Sequence, residues 1–180
     1  MTAVISDTSP VNYLVLIGEI GLLPDLYRKI SIPDVVLAEL LADGSPATVA
    51  AWAAVLPGWV DVVRTSVETG ESSLDPGELA AITLAGALGG DILPIMDDAD
   101  GRAEAARRGI RITGTLGVLR AAAQLGLVDI DSALEKLRRT NFYLPHKLAA
   151  FLLAEVRPRS AGFRPRSTRG WCWNKTSSPS

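Results

Sequence analysis

The sequence predicts an α/β domain in which a mostly parallel sheet is covered by helices. Short apolar runs alternate along the chain with longer segments whose apolar residues recur at helical spacing. Short apolar strands covered by helices imply a mostly parallel sheet. The chain has 180 residues, 48% of them hydrophobic, which is room for one ordinary core, and no linker inside residues 1–156 is long enough to divide it.

Residues 3–6 (AVIS) read as the first buried strand, ending at Asp7. Thr8, Ser9 and Pro10 are helix-start chemistry, a hydroxyl cap followed by proline in the first turn. The helix that follows stops at Gly21, and LLPDLY continues helically. Ile30 and Ile32 around Ser31 make a second strand. Pro33 and Asp34 open a helix closed by Gly44, and residues 46–56 are an Ala-rich helix. Trp59 to Val63 form a third strand, followed by the polar connector SVETGESSLDPG. Asp75 then caps a helix, with Glu78 three residues on in the capping-box position. Residues 91–96 are a strand ending in Asp97-Asp98. Gly101 to Arg108 are helical up to Gly109, and residues 110–113 are a short strand. Thr113-Gly114-Thr115 lead into another helix, and two more cover about 129–140 and 145–156.

The composition excludes several chemistries. One cysteine (Cys172) and one histidine (His146) rule out an intrachain disulfide framework and a Cys/His zinc site. There is no GxGxxG and no GxxxxGK[ST], so dinucleotide and P-loop readings lack their phosphate loops. No apolar run reaches the ~18–20 residues of a membrane span. The opening MTAVISDTSP does not read as a signal peptide, so a soluble, cytoplasmic protein is expected. Charge is uneven: residues 1–156 carry 12 basic and 20 acidic residues, whereas 157–180 carry five Arg, one Lys and no acid. That Arg-, Ser- and Pro-rich segment is read as a disordered tail. With Trp171 and Trp173 it could touch RNA, or it could be an inert end.

In a parallel sheet, functional residues gather at the carboxyl ends of strands. Asp7 and the Asp97-Asp98 pair sit there, and Glu39 and Glu78 lie on helices that could face the same edge. Each has a bland role available: a cap for Asp7, a solvated helix face for Glu39, a dipole partner for Glu78, a turn for Asp97-Asp98. Together, ionised carboxylates around one cleft need a cation. Oxygen-only ligands point to magnesium or manganese, and such a site supports phosphodiester hydrolysis. Ser6, Thr8 and Ser9 could hold Asp7 or a phosphate. Thr113 and Thr115 flank a turn that is either an anion-binding helix start or an ordinary cap. Arg102 and Arg107 could reach an RNA backbone. His146 reads as an exposed first-turn residue.

The segments VISDTSPVNYLVLIG, IPDVVLAEL, LDPGELAAITLA and MDDADGRAEAARRGIRITGTLGVL occur in an order that resembles PIN-domain proteins. More narrowly the chain resembles a nucleic-acid-binding PIN-like branch related to VapC-type toxins. The resemblance covers about residues 3–156. It implies a three-layer α/β/α fold around a parallel sheet of four to five strands. It also implies a magnesium- or manganese-dependent endoribonuclease, commonly the toxin of a toxin–antitoxin pair, with RNA as substrate, a small antitoxin protein as partner and a homodimeric state. The family's acidic cluster maps onto Asp7, Glu39, Glu78 and Asp97, with Asp98 able to take the place of Asp97. Many VapC-like members have Asp where this chain has Glu78, and Asp-x-x-Phe where it reads DADGRAEAARRG.

Two other readings remain. A catalytically weak PIN-like module would bind an antitoxin partner or RNA and keep its acids as remnants. A receiver-like signalling domain would need an acid pair near the first strand, where this chain has the lone Asp7.

Overall fold

A computed structural model describes residues 3–65, 74–89 and 91–156 of the chain. Four strands form one all-parallel sheet: β1 (Ala3–Ser6), β2 (Ile30–Pro33), β3 (Val60–Val63) and β4 (Ile92–Ile95), in the order β3-β2-β1-β4. Register is fixed on both sides of the central strand, with Ile5 opposite Ser31 on β2 and opposite Pro94 on β4. Because successive side chains point to opposite faces, β1 feeds two cores. Val4 joins the larger cluster, built with helices α1 (Thr8–Leu16), α2 (Leu22–Tyr27), α3 (Asp34–Leu40), α4 (Ala47–Ala54), α7 (Thr115–Gln124), α8 (Ile130–Arg138) and α9 (His146–Val156). Ile5 joins a smaller cluster with Ile92, Met96 and Ala81, Ile82, Leu84 and Ala85 of α5 (Pro76–Leu88). Helix α6 (Ala99–Arg107) follows β4 and packs on α5. The result is the α/β layering read from the sequence, a four-stranded parallel sheet with helices on both faces. Among the described residues no helix is long and apolar enough to cross a membrane.

The chain runs β1, β2, β3 in one direction across the sheet and then returns to place β4 on the other side of β1. The strand order therefore reverses between β1 and β4. Crevices at the carboxyl side of such a switch point are where open α/β sheets bind ligands. Asp7 follows β1 there, and Asp97-Asp98 follow β4.

Three departures from the sequence reading have a visible cause. Helix α1 ends at Leu16, not at Gly21: Gly18 adopts φ +74°, and the Glu19 amide reaches back to the Leu14 carbonyl at 2.8 Å. That is a Schellman closure, for which glycine carries no Cβ penalty. Helix α3 ends at Leu40 rather than near Gly44, its last turn tightening as the Ala42 amide bonds the Glu39 carbonyl at 3.2 Å. The strand expected over 110–113 shrinks to one bridge, Thr113 opposite Ile95. Thr113 donates to the Pro94 carbonyl (3.0 Å) and accepts from the Met96 amide (2.8 Å). The next rung would need a Pro94 N–H donating toward residue 111, and proline has none. Residues 66–73 of the polar connector, and the basic segment 157–180 with its two tryptophans, lie outside the described residues.

Ile32 is fully buried in β2. Truncation there should cost about 2–5 kcal/mol, the range for large-to-alanine changes in packed cores. Urea unfolding of Ile32→Ala is expected to show a lower midpoint at unchanged slope, and a loss below about 1 kcal/mol would contradict this packing.

Candidate active site

Asp7 occupies the N-cap position of α1 (φ −79°, ψ 172°), yet its side chain forms no cap bond. It is 2% exposed, and its Oδ1 is buried without a hydrogen-bond partner. Burial pushes its pKa up to about 7, with the charges of Asp75 and Glu39 adding to the rise; the amides of Thr8 and Ser9 offset this only in part. The amides at the helix start thus meet the side chain only in part, and a buried carboxyl remains that calls for a proton or a cation. Ser6 does not hold that carboxyl, because its hydroxyl donates to the Asp7 backbone carbonyl (3.1 Å).

Glu39 reaches the same place from the last turn of α3, where it accepts a short hydrogen bond from the Thr8 hydroxyl. The convergence is visible at Gly77 in the first turn of α5. A Cβ at position 77 would lie 2.8 Å from Glu39 Oε2 and 3.0 Å from Asp7 Oδ1. Glycine is therefore what lets α5 start against these two carboxylates. The adjoining Glu78 is 4% exposed. It completes a capping box with Asp75: the Glu78 amide donates to Asp75 Oδ1 (3.0 Å), and the Asp75 amide donates to Glu78 Oε2 (3.2 Å). Burial is the main force raising its pKa to about 8. The Asp75 charge follows, partly countered by the Asp75 amide, and then the charges of Asp98 and Asp7. Glu78 is thus both a cap and a member of the acid group.

The two acids after β4 part company. Asp97 turns to α7, accepting from the Thr115 amide at 2.8 Å (Oδ1) and the Thr115 hydroxyl at 2.5 Å (Oδ2). Burial raises its pKa, while Thr115 and the nearby Arg102 charge lower it. Asp98 caps α6, its Oδ1 accepting from the amides of Asp100 (2.7 Å) and Gly101 (3.4 Å). Its pKa is lowered, most by the Asp100 amide and further by a hydrogen bond from the Glu78 carboxyl. Gly101 permits this approach, because a Cβ there would collide with Met96 Sδ and sit 3.3 Å from Glu78 Oε1.

The fold therefore gathers Asp7, Glu39, Glu78, Asp75 and Asp98 at the switch point and directs Asp97 to one side. Among the described residues, no three His, Cys, Asp or Glu side chains form a group that could hold a metal ion as they stand. Their oxygens are turned instead to Thr8, Asp75, Thr115 and the helix amides. The donor chemistry still fits a hard cation: every group is a carboxylate, and the buried Asp7 Oδ1 lacks a partner. Of the expected substrate contacts, Thr8 and Ser9 are half-buried beside Asp7, and Arg102 is exposed with Nη1 donating to the Met96 carbonyl (3.2 Å). Thr113 is the sheet bridge, and Thr115 is fully buried against Asp97. The start of α7 is thus filled by a carboxylate of the same chain. Arg107 pairs with Glu104 (2.7 Å), and His146 is an exposed first-turn residue of α9.

Sequence reasoning gave no site role to Gly77, Gly101, Gly114, Asp75 or Tyr13. Tyr13 stacks edge-on against Phe142 with centroids 4.9 Å apart, and its hydroxyl pKa is raised by burial and then by the Asp97 charge. The legible signal for the glycines was their place beside an acid or threonine at a helix start, in DPGE, DADGR and TGT.

A family model described as a PIN domain matches residues 3–158 of this chain. No curated protein and no solved structure matches it.

Two outcomes follow. Asp7 and Glu78 hold their protons to about pH 7 and 8 in the fold, well above the ordinary carboxyl range. Between about pH 5 and 8 the folded state binds more protons than the unfolded one, so the metal-free protein should lose stability as pH rises. Calorimetry in chelator is expected to show a melting temperature that falls over that range; a flat or rising profile would remove the buried acids as its cause. Gly77→Ala should cost about 1–3 kcal/mol of overpacking, exceeding the ~1 kcal/mol gain in helix propensity, and should weaken manganese binding measured by titration. Unchanged affinity would mean that Asp7 and Glu39 do not act together.

Proposed function

The chain belongs to the PIN-domain family, whose members are as a class nucleases that typically use divalent metals, and from that membership we propose that it is a magnesium- or manganese-dependent endoribonuclease hydrolysing RNA phosphodiesters. The observation that carries this reading is the buried, unpartnered Asp7 Oδ1 facing the Glu39 carboxylate across Gly77, at the switch point of the sheet. Asp7, Glu39 and Glu78 would hold the ion, with one acid of the Asp97-Asp98 pair. When bound, the ion lowers the pKa of water and stabilises charge on the phosphate oxygens.

The chain's own residues supply the rest. Thr8 orients Glu39 by its hydroxyl, and Asp75 fixes Glu78 through the capping box. With pKa values near 7 and 8, Asp7 and Glu78 would keep the site from carrying its full negative charge before an ion binds. Ser9 is half-buried beside Asp7, and its hydroxyl is the donor a phosphate oxygen would meet there. Arg102, Thr113 and Thr115 lie around the same edge.

The toxin reading is finer. It has this chain as the toxin of a VapBC-like pair, homodimeric in the cytoplasm and restrained by a small antitoxin protein, and it rests on the resemblance of SDTSP, LDPGE, DDADGR and TGTLGVL to a PIN-like branch related to VapC-type toxins. The second reading, a catalytically weak module that binds an antitoxin or RNA, is favoured by the lack of a three-acid group among the described residues.

Asp7→Asn decides between them. The full chain should cleave labelled RNA in magnesium, and the variant should not. Manganese at 100 times its dissociation constant should stabilise the wild type by about 2.7 kcal/mol and leave the variant little changed. Equal cleavage by both proteins would overturn the nuclease site, and no manganese effect in either would favour the weak module.

A further inference from the structure

Asp97 and Asp98 are adjacent in sequence and face opposite company. Both oxygens of Asp97 are engaged by one residue, Thr115, through its amide and its hydroxyl. Thr115 is fully buried and Asp97 half-buried, so the pairing sits at the inner side of the crevice. Position 114 is pressed onto the same carboxylate: a Cβ there would lie 2.6 Å from Asp97 Oδ1, 3.1 Å from the Met96 carbonyl oxygen and 3.2 Å from Arg102 Nη1. Glycine is thus required for the turn to close on Asp97. The measurement also places the Asp97 carboxylate and the Arg102 guanidinium within 3.2 Å of one point. Arg102 is tethered there by its bond to the Met96 carbonyl.

A fixed guanidinium beside a carboxylate repels a second cation from it. Asp98 is exposed, and its Oδ1 accepts from the amides of Asp100 and Gly101. The cation's fourth acid is therefore better supplied by Asp98. Arg102, for its part, is exposed and uses one of five donors on Met96. Residues 1–156 carry 20 acidic against 12 basic side chains, so an incoming phosphate gains from a fixed positive charge at this rim.

We propose that Asp97 is a positioning residue and not a cation ligand: it clamps the start of α7 and, with the Met96 carbonyl, holds the Arg102 guanidinium at the rim of the acid site to contact a phosphate of the RNA. The clamp stands on geometry alone. The phosphate contact rests on the nuclease reading above and names its phosphate-holding side chain.

The test uses the full chain and three measurements. Manganese titration is expected to give affinities within twofold of the wild type for Asp97→Asn, which keeps the shape of the side chain, and a loss of tenfold or more for Asp98→Asn. Binding of a fluorescent RNA oligonucleotide in calcium should weaken about tenfold in Arg102→Ala, with the salt slope reduced by about 1. Thr115→Ala should weaken RNA binding in the same direction, and Thr115→Ser should restore it. Melting in chelator should drop by about 2–4 °C in Asp97→Ala and in Thr115→Ala, with no further drop in the double variant. A tenfold manganese loss in Asp97→Asn overturns the proposal by making Asp97 a ligand. Additive melting losses overturn the clamp. A wild type that binds neither manganese nor RNA sinks the nuclease reading and the Arg102 contact with it, while the melting cycle still judges the clamp.

Discussion

The Asp7 carboxyl sits at the end of the central strand with one oxygen buried and unpartnered. A charge in that position must be neutralised by a proton or met by a cation. Much of the surrounding architecture follows from that requirement. The strand order reverses next to Asp7, which opens a crevice between two elements that would otherwise be bridged by a helix. Helix α5 begins over the crevice through Gly77, so that backbone and not a side chain covers the carboxylates. The energetic cost of such a site is local and is offset by two apolar clusters on either face of the same strand.

The acids separate by how their neighbours treat charge. Asp98 lies at a helix N-terminus, where the amides favour its ionised form. Asp7 and Glu78 are buried among like charges and favour the neutral form. Alternating the two kinds around one crevice lets several carboxyls share it with no ion bound. Raised pKa values of this kind cluster at functional sites, although structural networks produce them too.

The sheet and most helices were legible in the sequence because each strand is a short apolar run and each helix carries its own punctuation. The capping box at Asp75 and Glu78 could be read outright, since both partners lie within one turn. Boundaries failed where the deciding partner was distant or ambiguous. Gly21 was read as the stop of α1, whereas the positive φ of Gly18 closes the helix earlier. The strand over 110–113 had an apolar start but met Pro94 across the sheet, a pairing that no local pattern reveals. Of the site, the residue types were legible and the partners were not. Asp98 has a local partner in the helix it caps, but what sets Asp97 apart lies in Thr115, 18 residues away. The glycines at 77, 101 and 114 look like turn residues until the carboxylates they admit are placed beside them.

Pro94 has one more consequence. β4 lies at one border of the sheet, and beyond the single bridge at Thr113 its outer side would offer a template to any passing extended segment. Pro94 withholds the donor such a segment would need, and the Arg111–Asp91 ion pair (2.6 Å) puts charge beside it. At the opposite border Asp61 of β3 pairs with Lys29 (3.3 Å). Both margins are thus guarded against strand-to-strand polymerisation, and the chain can keep its short, strongly apolar strands without inviting aggregation through the sheet.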